Sequence, residues 1–219
     1  MPIDRREALR YLAIARADAT SLEAIEPVAA ELEAAVTPRF TFSVFPVAHT
    51  PEGEALTGAG LVLPGKMART MLKDCTHAVL LLCTLGAGFE TLLRAASARD
   101  MAKAAMLDAC GSAYAEAGCD EAERAIAARF PEKFLTDRFS PGYGDLPLEL
   151  QPALCAALDS QRRLGVTVTE SLLMVPTKTV SAVIGLADTP QPARIKGCGF
   201  CSLREACAFR KGGTTCGAA

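Results

Sequence analysis

The chain has 219 residues, 50% of them hydrophobic and 22% charged, a balance that belongs to folded globular domains and excludes a disordered chain. Lys plus Arg number 23 against 25 Asp plus Glu, a net charge of −2, and without a basic block to neutralise phosphates nucleic acid is not an expected partner. The N-terminal MPIDRREALR is charged where a secretory signal is apolar, and the longest purely apolar run, residues 78–83, is far short of the roughly 20 residues that span a bilayer, so the expectation is a cytoplasmic protein without membrane contact.

Residues 5–17 read as a helix on Leu9, Leu12 and Ile14, and Ser21 as the N-cap of a second helix over residues 22–35. FTFSVF alternates Phe40, Phe42 and Val44 with Thr41 and Ser43, the period of a half-buried strand, which Pro46 is expected to end. A Gly-rich loop with a short strand follows over residues 57–63, then a short helix over 66–73 and a buried strand over 77–83. Residues 88–128 form an Ala-rich helical stretch, one helix or two, in which Gly111, Ala115 and Gly118 make a narrow face for close packing and Asp108, Ser112 and Glu116 recur at four-residue spacing. A loop holding RFSPGYGDLP follows Pro131, residues 150–162 return to helix, and residues 166–168 and 179–186 read as strands. Strands scattered singly among helices, without regular βαβ alternation, predict an α+β domain. The composition then shifts to a Cys-rich segment, dividing the chain into a domain over residues 1–195 and a tail over residues 196–219.

Two motifs invite a ligand. AVLLLCTLGAGFE runs from a strand through Gly86 and Gly88 into a helix, like the entry to a dinucleotide-binding domain. Thr91 stands at the third Gly position, and the chain about 20 residues on is helical, so the segment reads as a tight strand-to-helix turn. RFSPGYGDLP is more specific. Arg138 offers a planar fork for a carboxylate, Pro141 and Gly142 make a type II turn that exposes backbone polar groups, and Tyr143 brings a ring face or a hydroxyl.

RFSPGY followed by TESLLMVPTKTVSAVIG resembles the activation domain of cobalamin-dependent methionine synthase, in its stand-alone form. The resemblance extends to REALRYL, CTLG, DACGSAYAE and the CxxC of the tail. It implies a helmet-like single domain with a twisted antiparallel sheet and flanking helices. It also implies binding of S-adenosylmethionine for the reductive remethylation of the cobalamin carried by methionine synthase or another corrinoid protein, with a separate electron donor and no turnover by the chain alone. The implied ligand contacts are Arg138, Ser140, Pro141, Gly142 and Tyr143, with Glu132 at one acidic position of the family. Ser112 occupies the other, leaving Asp108 or Glu116 a turn away as substitutes, and no N-terminal residue stands out as the counterpart of the family's Asp contact. TESLLMVPTKTVSA would form a strand-turn-strand element, mostly core, with Glu170 and Lys178 the candidates to face ligand or partner.

The chain has nine Cys. Cys75, Cys83, Cys110, Cys119 and Cys155 lie in apolar elements and read as core. Cys198, Cys201, Cys207 and Cys216 in the tail can close a tetrahedral zinc site, hold an iron-sulfur cluster or stand as reduced thiols. A redox or metal-binding protein that delivers electrons to a corrinoid protein is therefore the alternative function. His49 and His77 have no nucleophile or metal partner in sequence and read as structural.

Overall fold

The computed structural model describes residues 1–14 and 17–192. Its sheet is built around β4 (Cys75–Thr84), a strand too apolar to leave either face in water. β4 lies between β1 (Arg39–His49) and β8 (Thr179–Ala187) and runs antiparallel to both. With β2 (Glu54–Leu56), β3 (Leu61–Leu63) and β5 (Phe134–Leu135), the order is β3-β2-β1-β4-β8-β5, antiparallel at every pairing. A separate two-stranded ribbon pairs β6 (Thr167–Val168) with β7 (Met174–Val175). An antiparallel setting of the strand before Gly86 is not the doubly wound parallel arrangement, and the strand-to-helix turn is made by Gly86 at φ +73.

Side chains of β4 divide by the period of a strand. Ala78, Leu80 and Leu82 pack on the face covered by α3 (Gly65–Leu72), α6 (Gln151–Ala157) and α7 (Ser160–Leu164), through Leu72, Leu154 and Leu164. Val79 and Leu81 point the other way, with Ala182 and Ile184 of β8, against Ala122 and Ile126 of α5 (Met101–Arg129). α1 (Arg5–Tyr11), α2 (Ala19–Ala35) and α4 (Gly86–Ser97) join α5 in a further apolar cluster built on Leu9, Ile25, Leu32, Phe89 and Leu107. Cys75, Cys83, Cys110, Cys119 and Cys155 are buried and unbridged, as their apolar surroundings predict. Burial pushes the Cys110 thiol up to about 11, which leaves it protonated at neutral pH.

Several boundaries depart from the sequence expectation for local reasons. The first helix stops at Tyr11 rather than running to residue 17, because Ala13 turns into the left-handed region at φ +59. Asp18, not Ser21, caps α2, its Oδ1 accepting from the Ser21 N–H at 2.8 Å. Pro46 ends the ladder with β4 opposite His77, yet β1 continues to His49 by taking β2 as a new partner from Val47. The long helical stretch is two helices, divided where Asp100 accepts from the N–H groups of Ala102 (2.9 Å) and Lys103 (3.1 Å) to start α5. The helix expected over residues 150–162 is likewise two, parted at Asp159 with φ +50.

The small-residue face of α5 performs the close packing its spacing predicts. A Cβ on Gly111 would stand 2.4 Å from Cε2 of Phe89, and one on Gly118 would stand 2.6 Å from Sγ of Cys83 and 2.9 Å from Cβ of Pro38. Phe89 is fully buried and has nowhere to retreat. Gly111→Ala is therefore expected to destabilise the fold by about 1–3 kcal/mol through overpacking, although Ala is the better helix former. Gly88→Ala on α4, where the added methyl meets only Val36 at 3.8 Å, is expected to stabilise it by about 0.5–1 kcal/mol. Urea denaturation of the two variants beside the parent checks both signs.

Candidate functional site

The segment carrying Arg138 is fixed as an irregular continuation of β5 along β8. Thr136 exchanges two hydrogen bonds with Gly185, its N–H donating at 3.0 Å and its Oγ1 accepting at 2.8 Å. Phe139 pairs with Val183 in both directions, at 3.0 and 2.7 Å. Ser140 Oγ donates to the Ser181 carbonyl at 2.6 Å. Arg138 lies between these anchors, so its backbone is set before its side chain is considered.

The predicted turn follows. The Tyr143 N–H donates to the Ser140 carbonyl at 3.1 Å, and Gly142 takes φ +85 at the turn position that favours glycine. Pro141 is buried beneath it. The Gly142 N–H is satisfied by the Leu146 carbonyl at 2.8 Å. Asp145 then reaches α3, accepting from the backbone N–H groups of Lys66 (2.6 Å) and Met67 (2.9 Å). Those donors hold its carboxyl below the usual range, since they bond only the charged form at full strength.

The Arg138 guanidinium meets a row of acids on α5. Its Nη2 lies 2.5 Å from Glu116, and its Nη1 is shared by Asp120, at 2.7 Å, and Glu123. Residues 116, 120 and 123 are spaced by four and three, which stacks them on one helix face. Burial, which leaves the Arg138 side chain 15% exposed, works against its charge; the carboxylates of Asp120, Glu116 and Glu123 outweigh burial and keep the group cationic.

This junction borders a cleft of about 820 Å³. Glu116, Asp120, Arg124 and the small Ala113 and Ala117 of α5 form one wall, with Arg138 and Tyr143 at its edge. The opposite wall is α1, which presents Asp4, Glu7, Arg10 and Tyr11. Asp4, Glu7, Arg10, Tyr11, Asp120 and Glu123 are not among the site residues expected from the sequence. The four-and-three spacing of the acids is a signal present in the sequence, whereas the apposition of α1 to α5 depends on packing across the long stretch of chain between Tyr11 and Met101.

Of the residues singled out in sequence, the structure gathers Arg138, Tyr143 and Glu116 at the cleft, with Ser140, Pro141 and Gly142 shaping the turn behind them. Glu132 stands exposed in the turn between α5 and β5 and does not line the cleft. Asp108 and Ser112 face a different cation: Lys178 Nζ lies 2.9 Å from Asp108 and 2.8 Å from Ser112 Oγ, and 5.9 Å from the Phe89 ring centroid. Glu170 is exposed beside the β6–β7 ribbon. Cys198, Cys201, Cys207 and Cys216 lie outside the described residues. Among the described residues no group of three or more His, Cys, Asp or Glu is placed to hold a metal ion, and no helix is long and apolar enough to cross a membrane.

Fold and site together define an α+β domain with an antiparallel sheet and a charged cleft between its first helix and its longest one. The family described as "Vitamin B12 dependent methionine synthase, activation domain" matches residues 79–192, just over half of the chain, and the chain belongs to that family. Among solved structures it is similar to one described as the crystal structure of the MetH reactivation domain bound to AdoHcy, with a TM-score of 0.60, 17% identity, and coverage of 96% of this chain and 74% of that one. This likeness supports the fold, including the α+β class expected from the sequence. No curated protein matches the chain.

Asp145 ties the turn to α3 through its charge, and its folded pKa lies below the value of about 3.9 expected when unfolded. The stabilisation is thus complete above the unfolded value and is lost as pH falls through the folded one. Asp145→Ala should lower the melting temperature at pH 7, and the gap from the parent should close as the pH is taken down through this window. A gap that stays constant down to pH 3 would assign the loss to something other than the charged cap.

Proposed function

We propose that the cleft binds S-adenosylmethionine and presents its methyl group to the cobalamin of a partner protein, methionine synthase or another corrinoid protein, for reductive remethylation. The observation that carries this reading is the junction of Arg138 with Glu116, Asp120 and Glu123 beside Tyr143. Three carboxylates around one guanidinium leave an excess of negative charge. A ligand bearing a sulfonium, an ammonium and one carboxylate complements that excess.

The apo ion pair also suits an amino-acid head group. Arg138 already holds Glu116 by a charge-assisted bond, and a zwitterion can replace both halves, its carboxylate taking the guanidinium and its ammonium taking the acids. Glu116 and Asp120 are the partners with room to move, their side chains 37% and 59% exposed, while Glu123, 23% exposed, stays against the guanidinium. The exchange therefore leaves no charge buried alone. The backbone at Ser140 and Gly142, fixed by the turn, and the ring of Tyr143 complete the amino-acid end.

A sulfonium methyl is transferred with its bonding electrons left on sulfur, so the product is a thioether and the accepting metal must arrive reduced, its electron coming from a separate donor. The work of this chain is to bind and orient: to hold the sulfonium near carboxylates and to fix the ligand so that its methyl faces the partner.

Calorimetric titration of the full chain with S-adenosylmethionine is expected to give saturable binding. Arg138→Ala should weaken it by about 1.5–3 kcal/mol, and Arg138→Lys should recover only part, since Lys keeps the charge without the planar fork. No heat at millimolar ligand from a folded parent protein would refute this function.

A further inference from the structure

The α1 wall of the cleft is built as deliberately as the α5 wall. Asp4, Glu7 and Tyr11 are spaced by three and four and share one face of the helix, while Ala8 and Leu9 are buried behind it. Tyr11 is 41% exposed, a large ring left at the mouth of a cavity. It is not loose. Arg10 lies over it at 4.6 Å from the ring centroid, and Arg10 is itself gripped by Glu7 through two hydrogen bonds, one of them Nε to Oε2 at 2.8 Å. Desolvation, and after it the charge of Glu116 across the cleft, pushes the Tyr11 hydroxyl's pKa up from its ordinary value. The α5 wall meanwhile offers Ala113 and Ala117, the smallest side chains that still line a helix face. The result is a flat, pre-ordered aromatic surface with open space before it.

The distribution of aromatic groups makes the same point. The chain has no Trp and three Tyr. Tyr114 is buried in the core, and the other two, Tyr11 and Tyr143, both line this cleft from opposite elements. At a rise of 1.5 Å per residue, Ala113 and Arg124 stand roughly 16 Å apart along the axis of α5, room for an extended ligand with a base at one end and a charged group at the other.

We propose that Tyr11 is the base-binding residue of the cleft, stacking the purine of the ligand on its open face while Arg10 covers the other. This rests on the reading of the cleft as an S-adenosylmethionine site and deepens it: α1 takes the adenosyl end, and the Arg138 junction takes the amino-acid end. A base needs only a π face of the right height, which Tyr supplies with few rotors to freeze. Because Arg10 and Glu7 have already ordered the ring, little side-chain freedom is lost when ligand enters.

The test separates the two ends of the ligand. The full chain and its Tyr11→Ala and Tyr11→Phe variants are titrated with S-adenosylmethionine, with adenosine and with methionine. Tyr11→Ala should weaken S-adenosylmethionine about tenfold, equivalent to about 1.4 kcal/mol, abolish measurable adenosine binding and leave methionine unchanged, while Tyr11→Phe stays close to the parent. Tyrosine emission, free of tryptophan in this chain, should be quenched by adenosine in the parent and much less in Tyr11→Ala. Should the alanine variant melt early, Tyr11→Leu keeps apolar bulk on α1 and is expected to show the same selective loss. A folded Tyr11→Ala that binds S-adenosylmethionine like the parent overturns the assignment, as does an equal loss of S-adenosylmethionine and methionine, which marks a structural role. A parent that binds none of the three overturns the reading of the cleft itself, and the assignment with it.

Discussion

The rotation of α5 about its own axis decides where everything else in this molecule can stand. Gly111, Ala115, Gly118 and Ala122 fall within a narrow, buried sector of the helix, in which Gly111 is pressed against Phe89 and Gly118 against Cys83 and Pro38 with no space for a larger side chain. Each glycine inside a helix costs about 1 kcal/mol relative to alanine, and the buried Phe89 ring offsets that by filling the space the glycine leaves. With the sector fixed, 3.6 residues per turn carry Glu116, Asp120 and Glu123 about 140° round to the far side. The acids can face only the strip of surface where Arg138 and α1 are found. A single packing constraint in the core thus aims the charges of the cleft.

Arg138 turns that aim into a fixed junction. A guanidinium with 15% of its side chain exposed is unfavourable without partners, and three carboxylates from one helix face satisfy it. The loop that carries it has little freedom of its own, since Thr136, Phe139 and Ser140 are bonded to Gly185, Val183 and Ser181 on the sheet while Asp145 is bonded to α3. The alternation along β8 matters here: residues 181, 183 and 185 hold the loop, and residues 182 and 184 pack beneath α5. One strand thereby registers the loop against the helix whose charges the loop must meet.

Much of this was legible along the chain. The apolar run of β4, the alternation in β1, the small-residue face of α5 and the Pro-Gly turn are local patterns, and each predicted the element or contact found. The misses are of a different kind. β5 is two residues long, too short for any periodicity, and exists because β8 supplied a partner. Pro46 does not end the strand as expected: it closes the ladder with β4, and β2 on the other side carries the strand on to His49. The row Asp108, Ser112 and Glu116 was visible as spacing, yet it serves two cations, Lys178 for its first turns and Arg138 for its last. Which cation takes which acid is a tertiary fact. Glu132 sits near Arg138 in sequence and away from the cleft in space because the α5 end and the following turn carry it outward.

The least self-sufficient part of the site is α1, and its support explains why a short helix can serve as a wall. Seven residues are too few for a helix to hold itself together in water. Asp4 caps it, accepting from the N–H groups of Arg6 at 2.8 Å and Glu7 at 3.1 Å, and Ala8 and Leu9 bury its back. The stronger tether is Arg5, which binds Glu26 at 2.9 Å and Glu33 at 2.6 Å on α2, while Glu33 also accepts the Ile3 N–H at 2.6 Å. Hydrogen bonds to both acids hold the Arg5 pKa above its ordinary value, so this clamp does not titrate in the working range. All of these ties grip α1 from its start and its rear. Glu7, Arg10 and Tyr11 are left to face the cleft, and the left-handed residue Ala13 bends the chain away just past Tyr11, so the wall ends where its aromatic ring stands.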